Sequence, residues 1–477
     1  MHERSSITQT FTVMIALLIG IVMLLGARQA LSMLSSGTSF SFLSRTTLSP
    51  LPKDETGYTN ILLLGEGNSD HDGIDLTDTI MIASIDSTRT QSTVFLSIPR
   101  DLYLLKTEKM GGGRINTLYR NYKSRLISQG QSKDDASNNA LNALMQELGN
   151  RLNLTMHGVV KLNFSGFEQA IDAIGGIDID VPETIIDTEY PGVGDSFITF
   201  SVQEGPQHFD GATALKYARS RHTTSDFSRS ARQQDIIVAA VKKVKENGFI
   251  ENLSNISRLL RILSNNVEST FSLQEMLSLA YAARSLDAAK TVSLHLSDRN
   301  GLYGTFVEPG GLLYAPPRSE FEGASVLLPI VQAGTSIGSW KQLALFSDLT
   351  MKHRTWFAPP APGIAILNAG AAPGTARSLA IELIRYGFNV VDIGNFEEKN
   401  LATSSIRFQS SAGEKSEQAH RASVVQELAT FLSSTLTVDD IAPESTRLRE
   451  HAPDIVIVLG KDFTFSPLSI LLSKKEE

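Results

Sequence analysis

Residues 59–98 read TNILLLGEGNSDHDGIDLTDTIMIASIDSTRTQSTVFLSI. Three runs inside this stretch, Thr59–Gly65, Thr79–Ile85 and Ser92–Ile98, are short and apolar, and clusters of Gly, Asp, Ser and Thr separate them. Runs of this length between turn formers predict neighbouring strands of one sheet. Downstream, Lys133–Leu152 carries Leu141, Leu144, Met145, Leu148 and Leu152 at helical spacing behind a Ser/Asp start, so its apolar stripe should cover a face of that sheet. A strand over 158–164, a short helix ending at Gly175-Gly176 and a strand over 177–181 continue the alternation. The fold class this predicts is α/β.

Further along, Asp210–Tyr217 and Arg229–Glu246 read as helices, the second with Ile236, Ile237, Ala240, Val241 and Val244 facing inward. More helices are expected over 252–265 and 272–288, whereas 298–350 mixes Gly, Pro and short apolar runs without an assignable period. Phe357–Gly363 (FAPPAPG) reads as a semi-rigid linker. Beyond it Ile364–Asn368, a helix over 374–386, Asn389–Ile393, a helix over 423–435 and Asp454–Gly460 predict a second, smaller α/β domain.

Length agrees with this division. A chain of 477 residues has room for two or three domains, and 42% hydrophobic with 20% charged residues is a globular composition. Lys and Arg number 43 against 51 Asp and Glu, and a net charge of -8 gives no whole-chain attraction to nucleic acid or anionic lipid. Any anion site must be a local cluster. With no cysteine, disulfides, thiolate nucleophiles and Cys-ligated metals are excluded.

At the N terminus no charge occurs between Arg4 and Arg28, and Phe11–Ala27 (FTVMIALLIGIVMLLGA) is almost wholly apolar. We read one transmembrane helix over roughly 11–33; a cleaved signal peptide is the alternative, with a poor cleavage site near Ala27 and Ala30. Glu3 offsets Arg4 and Arg28 lies on the other side, so flanking charges do not orient the helix. The expected organisation is a tail and anchor over 1–34, a Ser/Thr/Pro/Gly-rich spacer over 35–56 and a first domain over 57–350 with its core in 57–250. A linker over 351–362, a second domain over 363–463 and a tail over 464–477 complete it.

Three polar clusters could carry chemistry. Between Arg219 and Arg232 four arginines fall in 14 residues. Arg229 and Gln233 lie four apart at a helix start, where free N–H groups and the positive dipole end favour anions, and Arg219 and Arg221 arrive from the preceding loop. Planar guanidinium groups each grip two phosphate oxygens, so the cluster suits a pyrophosphate; a solvated charged surface is the other reading. The second cluster, Glu66–Asp78, holds five carboxylates in 13 residues and suits Mg²⁺ or Mn²⁺ beside phosphates, or is an ordinary acidic loop. In the third, Ser97-Ile-Pro-Arg-Asp101, a proline halts a strand and an arginine and an aspartate follow at once, as a functional pair or a surface ion pair. Nine histidines show no paired metal spacing, and there is no G-x-S-x-G elbow or Walker A loop. Gly370 and Gly374 could form a strand-to-helix anion loop or only a tight turn.

These clusters together resemble the LytR-CpsA-Psr (LCP) family of bacterial cell-wall proteins. Thr77-Asp78-Thr79, Ser97-Ile-Pro-Arg-Asp101, Arg114-Ile-Asn116 with Tyr119, Arg219-x-Arg221 and Arg229-x-x-Arg232-Gln-Gln234 follow its pattern in order over about 57–250. A second resemblance, to the LytR C-terminal domain, covers about 363–463 through Ile364-Ala-Ile-Leu-Asn-Ala-Gly370, Gly374-Thr-Ala376, Tyr386-Gly-Phe388 and Val458-Leu-Gly-Lys-Asp462.

The resemblance implies a mixed central sheet flanked by helices and a single N-terminal anchor, with the rest of the chain outside the cell membrane. It also implies an enzyme that moves a glycopolymer from a polyprenyl-pyrophosphate carrier onto peptidoglycan through a phosphodiester, with Mg²⁺ or Mn²⁺ as cofactor and no nucleic acid partner. Carried over by position, Arg100, Arg219, Arg221, Arg229, Arg232 and Gln233 would hold the pyrophosphate and Asp78 would ligate the metal. Arg100, Arg219 and Arg221 would act in catalysis, with Asp101 as base or supporting carboxylate. The chain departs from the family where Gly67 stands for a usual Asp and Leu76 for a usual Arg, which removes one metal ligand and one phosphate contact. A lipid-pyrophosphatase and a non-catalytic wall scaffold that binds lipid phosphate are the competing functions.

Overall fold

The computed structural model describes residues 50–67, 74–191, 196–220, 290–296, 311–330, 340–358, 361–408, 437–440 and 453–468, with single positions or short pieces within 232–289 and 422–432. It divides into two compact units, Met1–Asn150 with Thr155–Ser293, and Arg151–Leu154 with Leu294–Glu477.

The first unit is built on a six-stranded sheet. β1 (Thr59–Glu66), β2 (Thr77–Asp86) and β3 (Ser92–Ile98) pair antiparallel in sequence order. Two short strands, β4 (Tyr103–Leu104) and β5 (Gly113–Arg114), pair with each other and lead into α1 (Ile115–Ser128), which α2 (Lys133–Leu152) follows. β6 (Gly158–Asn163) then pairs parallel to the far side of β1. The chain continues through α3 (Phe164–Ala173), β7 (Ile177–Val181), β8 (Ile185–Pro191), β9 (Phe197–Val202), β10 (Gly205–Phe209) and α4 (Gly211–Arg219). β11 (Val267–Ser269) and β12 (Thr291–His295) complete the sheet order β11-β6-β1-β2-β3-β12. β6 is parallel to β1 and antiparallel to β11, so the sheet is mixed, as expected.

Strand alternation separates two apolar faces. Ile61, Met81, Ala83 and Phe95 pack with Ala170 and Ile171 of α3, Ala214 and Tyr217 of α4, and the buried sides of β7 to β10. The packing of α3 on α4 is close: a Cβ on Gly211 would strike the Glu168 backbone, so only glycine starts α4 at this depth. After α3 the chain turns through Gly175 and Gly176 at φ 84° and 75°, backbone that favours glycine, and β7 follows. β8 and β9 form a separate two-stranded ribbon.

Of the helical positions expected over 229–246, Arg232, Ile236, Ala239, Ala240 and Lys243 are described and helical, and Ile236 and Ala240 are buried. Ile237, Val241 and Val244 lie outside the described residues, as do the helix expected over 252–265 and the anchor over 11–33. Among the described residues no helix is long and apolar enough to cross a membrane.

In the second unit, β13 (Leu313–Tyr314) and β14 (Leu328–Pro329) pair, and α5 (Trp340–Lys352) fills part of the stretch that showed no sequence period. Phe357, which opens the FAPPAPG stretch, and Trp356 just before it are buried against Phe388. β15 (Ile364–Asn368), α6 (Thr375–Arg385), β16 (Val390–Asn395), β17 (Ser405–Phe408), β18 (Thr437–Asp440) and β19 (Ile455–Leu459) give a five-stranded sheet in the order β16-β15-β19-β17-β18. β17 and β18 are additions to the expected alternation. Asn368 organises the turn before α6, accepting from Gly370 N–H and donating to the Ala371 carbonyl.

Candidate active site

β1, β3 and β6 end, and β2 begins, at one edge of the central sheet. Ligands of α/β sheets lie outside such an edge. β3 stops at Ile98 because Pro99 has no N–H for the ladder; a turn follows, with Leu102 N–H donating to the Pro99 carbonyl. That turn places Arg100 beside the first residues of β2. Its Nη1 lies 3.2 Å from Asp78 Oδ2, while Asn116 Nδ2 at the start of α1 donates to Asp78 Oδ1 at 3.0 Å. On the other side Arg100 Nε is 3.9 Å from Asp101 Oδ2, and Arg114 Nη1 is 3.5 Å from Asp101 Oδ1. The result is a chain of alternating groups, Asn116, Asp78, Arg100, Asp101 and Arg114, contributed by β2, the β3 turn and the entry to α1. Asn116 is buried, and its Oδ1 accepts from no partner among the described residues.

Arg219, the last residue of α4, reaches the same edge from the opposite face of the sheet. Its guanidinium carbon lies 4.6 Å from the ring centroid of Phe164, the residue directly after β6, and 5.5 Å from that of Tyr190 in β8. Nη1 donates to the Tyr190 hydroxyl at 3.3 Å. The rings hold the planar group in place, and among the described residues one of its donors is engaged, by the Tyr190 hydroxyl. Burial raises the pKa of the Tyr190 hydroxyl above its ordinary value, with Arg219 opposing, so the phenol stays protonated near neutrality. Neighbouring strands are about 4.8 Å apart, which sets the ends of β6 and β3 about 14 Å apart across β1 and β2. Arg100 leans back over β2 to Asp78 and so shortens that gap.

Arg232 has a different setting. It is buried, and it donates through Nε to the Tyr217 carbonyl at 3.1 Å and through Nη2 to the Ser220 carbonyl. Two of its nitrogens thus brace the carboxyl end of α4, where Arg219 is mounted. Arg221, Arg229 and Gln233 lie outside the described residues. The structure therefore brings Arg100, Asp101 and Asp78 into direct contact and puts Arg219 at the same edge.

A feature that the motifs did not single out adjoins this edge. Lys161 in β6 is 2% exposed, and its Nζ lies 2.8 Å from Glu66, 3.0 Å from Glu268 and 3.6 Å from Asp75. Asp75 also accepts from Lys123 Nζ at 2.8 Å, and the Tyr119 ring lies 4.6 Å from Lys161 Nζ. Burial works against the charged amine, but Tyr119, Glu66 and Glu268 more than offset it and hold the pKa of Lys161 above its ordinary value. Burial raises the Glu66 carboxyl, with Lys161 opposing. Burial also acts to raise Glu268, yet Lys161 and the Ser137 hydroxyl hold it below the usual carboxylate range. The signal in the sequence was a lone lysine inside an apolar strand, GVVKLN over 158–163.

This network bears on metal chemistry. Glu66 and Asp75 of the 66–78 cluster are tied to the ammonium groups of the buried Lys161 and the half-buried Lys123, while Asp70 and Asp72 lie outside the described residues. Among the described residues no group of three His, Asp or Glu side chains could hold a metal unaided. Asp78 is a carboxylate with a side chain 41% exposed at the sheet edge. Mg²⁺ beside phosphates commonly takes one or two carboxylates and fills its other positions with phosphate oxygens and water, so the Asp78 donor set fits a shared site of that kind.

Comparison with known proteins bears on two long stretches of the chain. Residues 35–309 match the model of the LytR_cpsA_psr family, and residues 362–463 match that of the LytR cell envelope-related transcriptional attenuator. A polyisoprenyl-teichoic acid–peptidoglycan teichoic acid transferase TagU of Oceanobacillus iheyensis is 29% identical over 254 residues, which cover 52% of this chain and 71% of that protein. The cell wall biosynthesis protein LcpA of Corynebacterium glutamicum is 24% identical over 353 residues, 71% of this chain and 63% of that one. Among solved structures, Bacillus subtilis TagV aligns with a TM-score of 0.42 at 22% identity, over 62% of this chain and 98% of that one.

Proposed function

Since this chain belongs to the LytR-CpsA-Psr family and carries a LytR C-terminal domain, we propose that it is a glycopolymer phosphotransferase. In this reading it moves a glycan from a polyprenyl-pyrophosphate carrier onto a hydroxyl of peptidoglycan. The observation that carries the proposal is the placement of Arg100 and Arg219 at one sheet edge, with Arg100 bracketed by two carboxylates. The apolar run 11–27 supports an anchor in the cell membrane, with the folded units on its outer side where lipid-linked wall precursors and peptidoglycan meet.

The acceptor oxygen attacks the glycan-bearing phosphorus, the bond to the bridging oxygen breaks, and polyprenyl phosphate leaves. The acceptor proton passes to a base, for which Asp101 is the candidate beside Arg100. Negative charge builds on the bridging and non-bridging oxygens, and guanidinium groups already engaged with the diphosphate before the bond breaks stabilise it. Arg219, stacked on Phe164 and Tyr190, holds one phosphate; Arg100, freed from Asp78 as the diphosphate arrives, holds the other. Bound Mg²⁺ or Mn²⁺ would add charge neutralisation at the phosphates, with Asp78 as its protein ligand. Arg221, Arg229, Arg232 and Gln233 complete the proposed pyrophosphate set, Arg232 by holding the end of α4.

The test is transfer from a lipid-pyrophosphate oligosaccharide to wall fragments by the full chain in vesicles, with and without Mg²⁺. Arg219→Ala and Arg100→Ala are each expected to lower turnover at least about 100-fold, the cost of one transition-state donor. Transfer at the normal rate by both variants would reject the reading. Glycan phosphate released to water at the same rate with and without peptidoglycan would make the protein a pyrophosphatase instead.

A further inference from the structure

The ribbon of β8 and β9 breaks the rule that the solvent side of a strand pair is polar. Its inner side is ordinary: Ile185, Tyr190, Phe200 and Val202 belong to the core. Toward its outer side and its end, Phe197 is 66% exposed, Ile186 47% and Ile198 42%, and Pro191 is exposed as well. Pro191 pairs with Phe197 on one side of the ribbon and Tyr190 with Ile198 on the other, so the last described pairs of the ribbon expose Pro191, Phe197 and Ile198 on both of its sides. Exposed apolar side chains grouped at one end of a strand pair mark an interaction site.

Two observations say what covers it. The residue opposite Ile198 is Tyr190, whose hydroxyl accepts from Arg219, so the apolar end adjoins the group proposed to hold a lipid phosphate. In addition, the chain between the proposed anchor, ending near 33, and the first described residue, Pro50, is about 16 residues long, which spans at most about 55 Å fully extended. The first unit is thereby kept close to a bilayer. We propose that the end of the β8–β9 ribbon inserts into the outer leaflet of that bilayer, and that Pro191, Phe197 and Ile198 hold the Arg219 side of the site at headgroup depth. This rests on the phosphotransferase reading above. The ribbon carries Asp187 and Glu189 and is flanked by Glu183 and Glu204, so its contact is through apolar side chains and not through attraction to anionic headgroups.

The test places a reporter at the contact. In the full chain reconstituted into phosphatidylcholine vesicles, Phe197→Trp should show blue-shifted emission that brominated phosphatidylcholine quenches. Ile127→Trp, at an exposed residue in the last turn of α1, should not be quenched. The double variant Phe197→Ser, Ile198→Ser should raise KM about tenfold for a membrane-embedded polyprenyl donor, the loss expected when two partly inserted apolar side chains become polar. It should leave KM for a water-soluble short-chain donor unchanged. Equal quenching of the two tryptophans, or equal kinetics of the double variant and wild type on both donors, would overturn the proposal. A dimer in detergent that dissociates in the double variant would assign the ribbon to a second copy and overturn it too. Loss of transfer in Arg219→Ala with no effect of the ribbon variants would retain the phosphotransferase reading and remove this one.

Discussion

Lys161 keeps its charge because three carboxylates surround it, and Glu66 and Asp75 are held by that charge. Replacing it with methionine would leave the largely buried Glu66 without its ammonium partner, the half-exposed Glu268 without its direct ion pair, and Asp75 with Lys123. Breaking such a buried network by removing one partner costs about 3 kcal/mol. Lys161→Met should therefore lower the urea midpoint of unfolding with no change in slope; a midpoint equal to wild type would mean that the lysine is dispensable. The residues of the site were only partly legible. The order of the motifs pointed to Asp78, Arg100 and Arg219, but their partners are set by packing across long stretches of chain: Asn116 meets Asp78 from 38 positions away, and Tyr190 meets Arg219 from 29. No local pattern announces such pairs. Arg232 shows the same limit, because its spacing from Arg229 cannot tell that its nitrogens face main-chain carbonyls.

The hairpin of β2 and β3 turns on a fully buried aspartate. Asp86 accepts from the N–H groups of Thr88, Arg89 and Thr90 and from the Thr90 hydroxyl. Burial alone would raise its pKa, but these donors more than offset burial and lower it from 3.8 to about 2. A carboxyl with a depressed folded pKa adds stability above its unfolded value and loses it as pH falls through the folded one. The Asp86 contribution is thus complete above about pH 4 and fades between about pH 4 and pH 2. Asp86→Asn should cost about 2 kcal/mol at pH 7, and the gap from wild type should close as unfolding is measured down to pH 2. A gap that stays constant with pH would contradict the ionised turn. Elements of this kind were legible where burial is one-sided or complete, as in β1, β2, β3, α2 and the strands β15 and β19. α1 escaped notice because Arg114 stands at its N-cap position with no side-chain hydrogen bond, and because basic residues interrupt the apolar positions Ile115, Leu118, Tyr119 and Leu126. β8 and β9 escaped because apolar residues occupy both sides of the ribbon and obscure the period of two.

At the scale of the molecule, length left room for two or three domains and the alternation of strands and helices pointed to two α/β units; the structure contains two, each on its own sheet. The mixed character of the first sheet followed from the family resemblance and not from periodicity, since alternation along a strand does not reveal the direction of its neighbour. The proposed anchor predicts that the full chain stays with the membrane pellet after alkaline carbonate extraction; release into the supernatant would count against it. The parallel pairing of β1 with β6 has a bearing on how the chain is made. A polypeptide growing from its N terminus completes β1, β2 and β3 while β6 has yet to be synthesised, so one long side of β1 waits with its backbone donors and acceptors bare. During that interval a strand from another nascent copy can add to the open border, and a chaperone that shields it until residue 163 has emerged would raise the yield of folded protein.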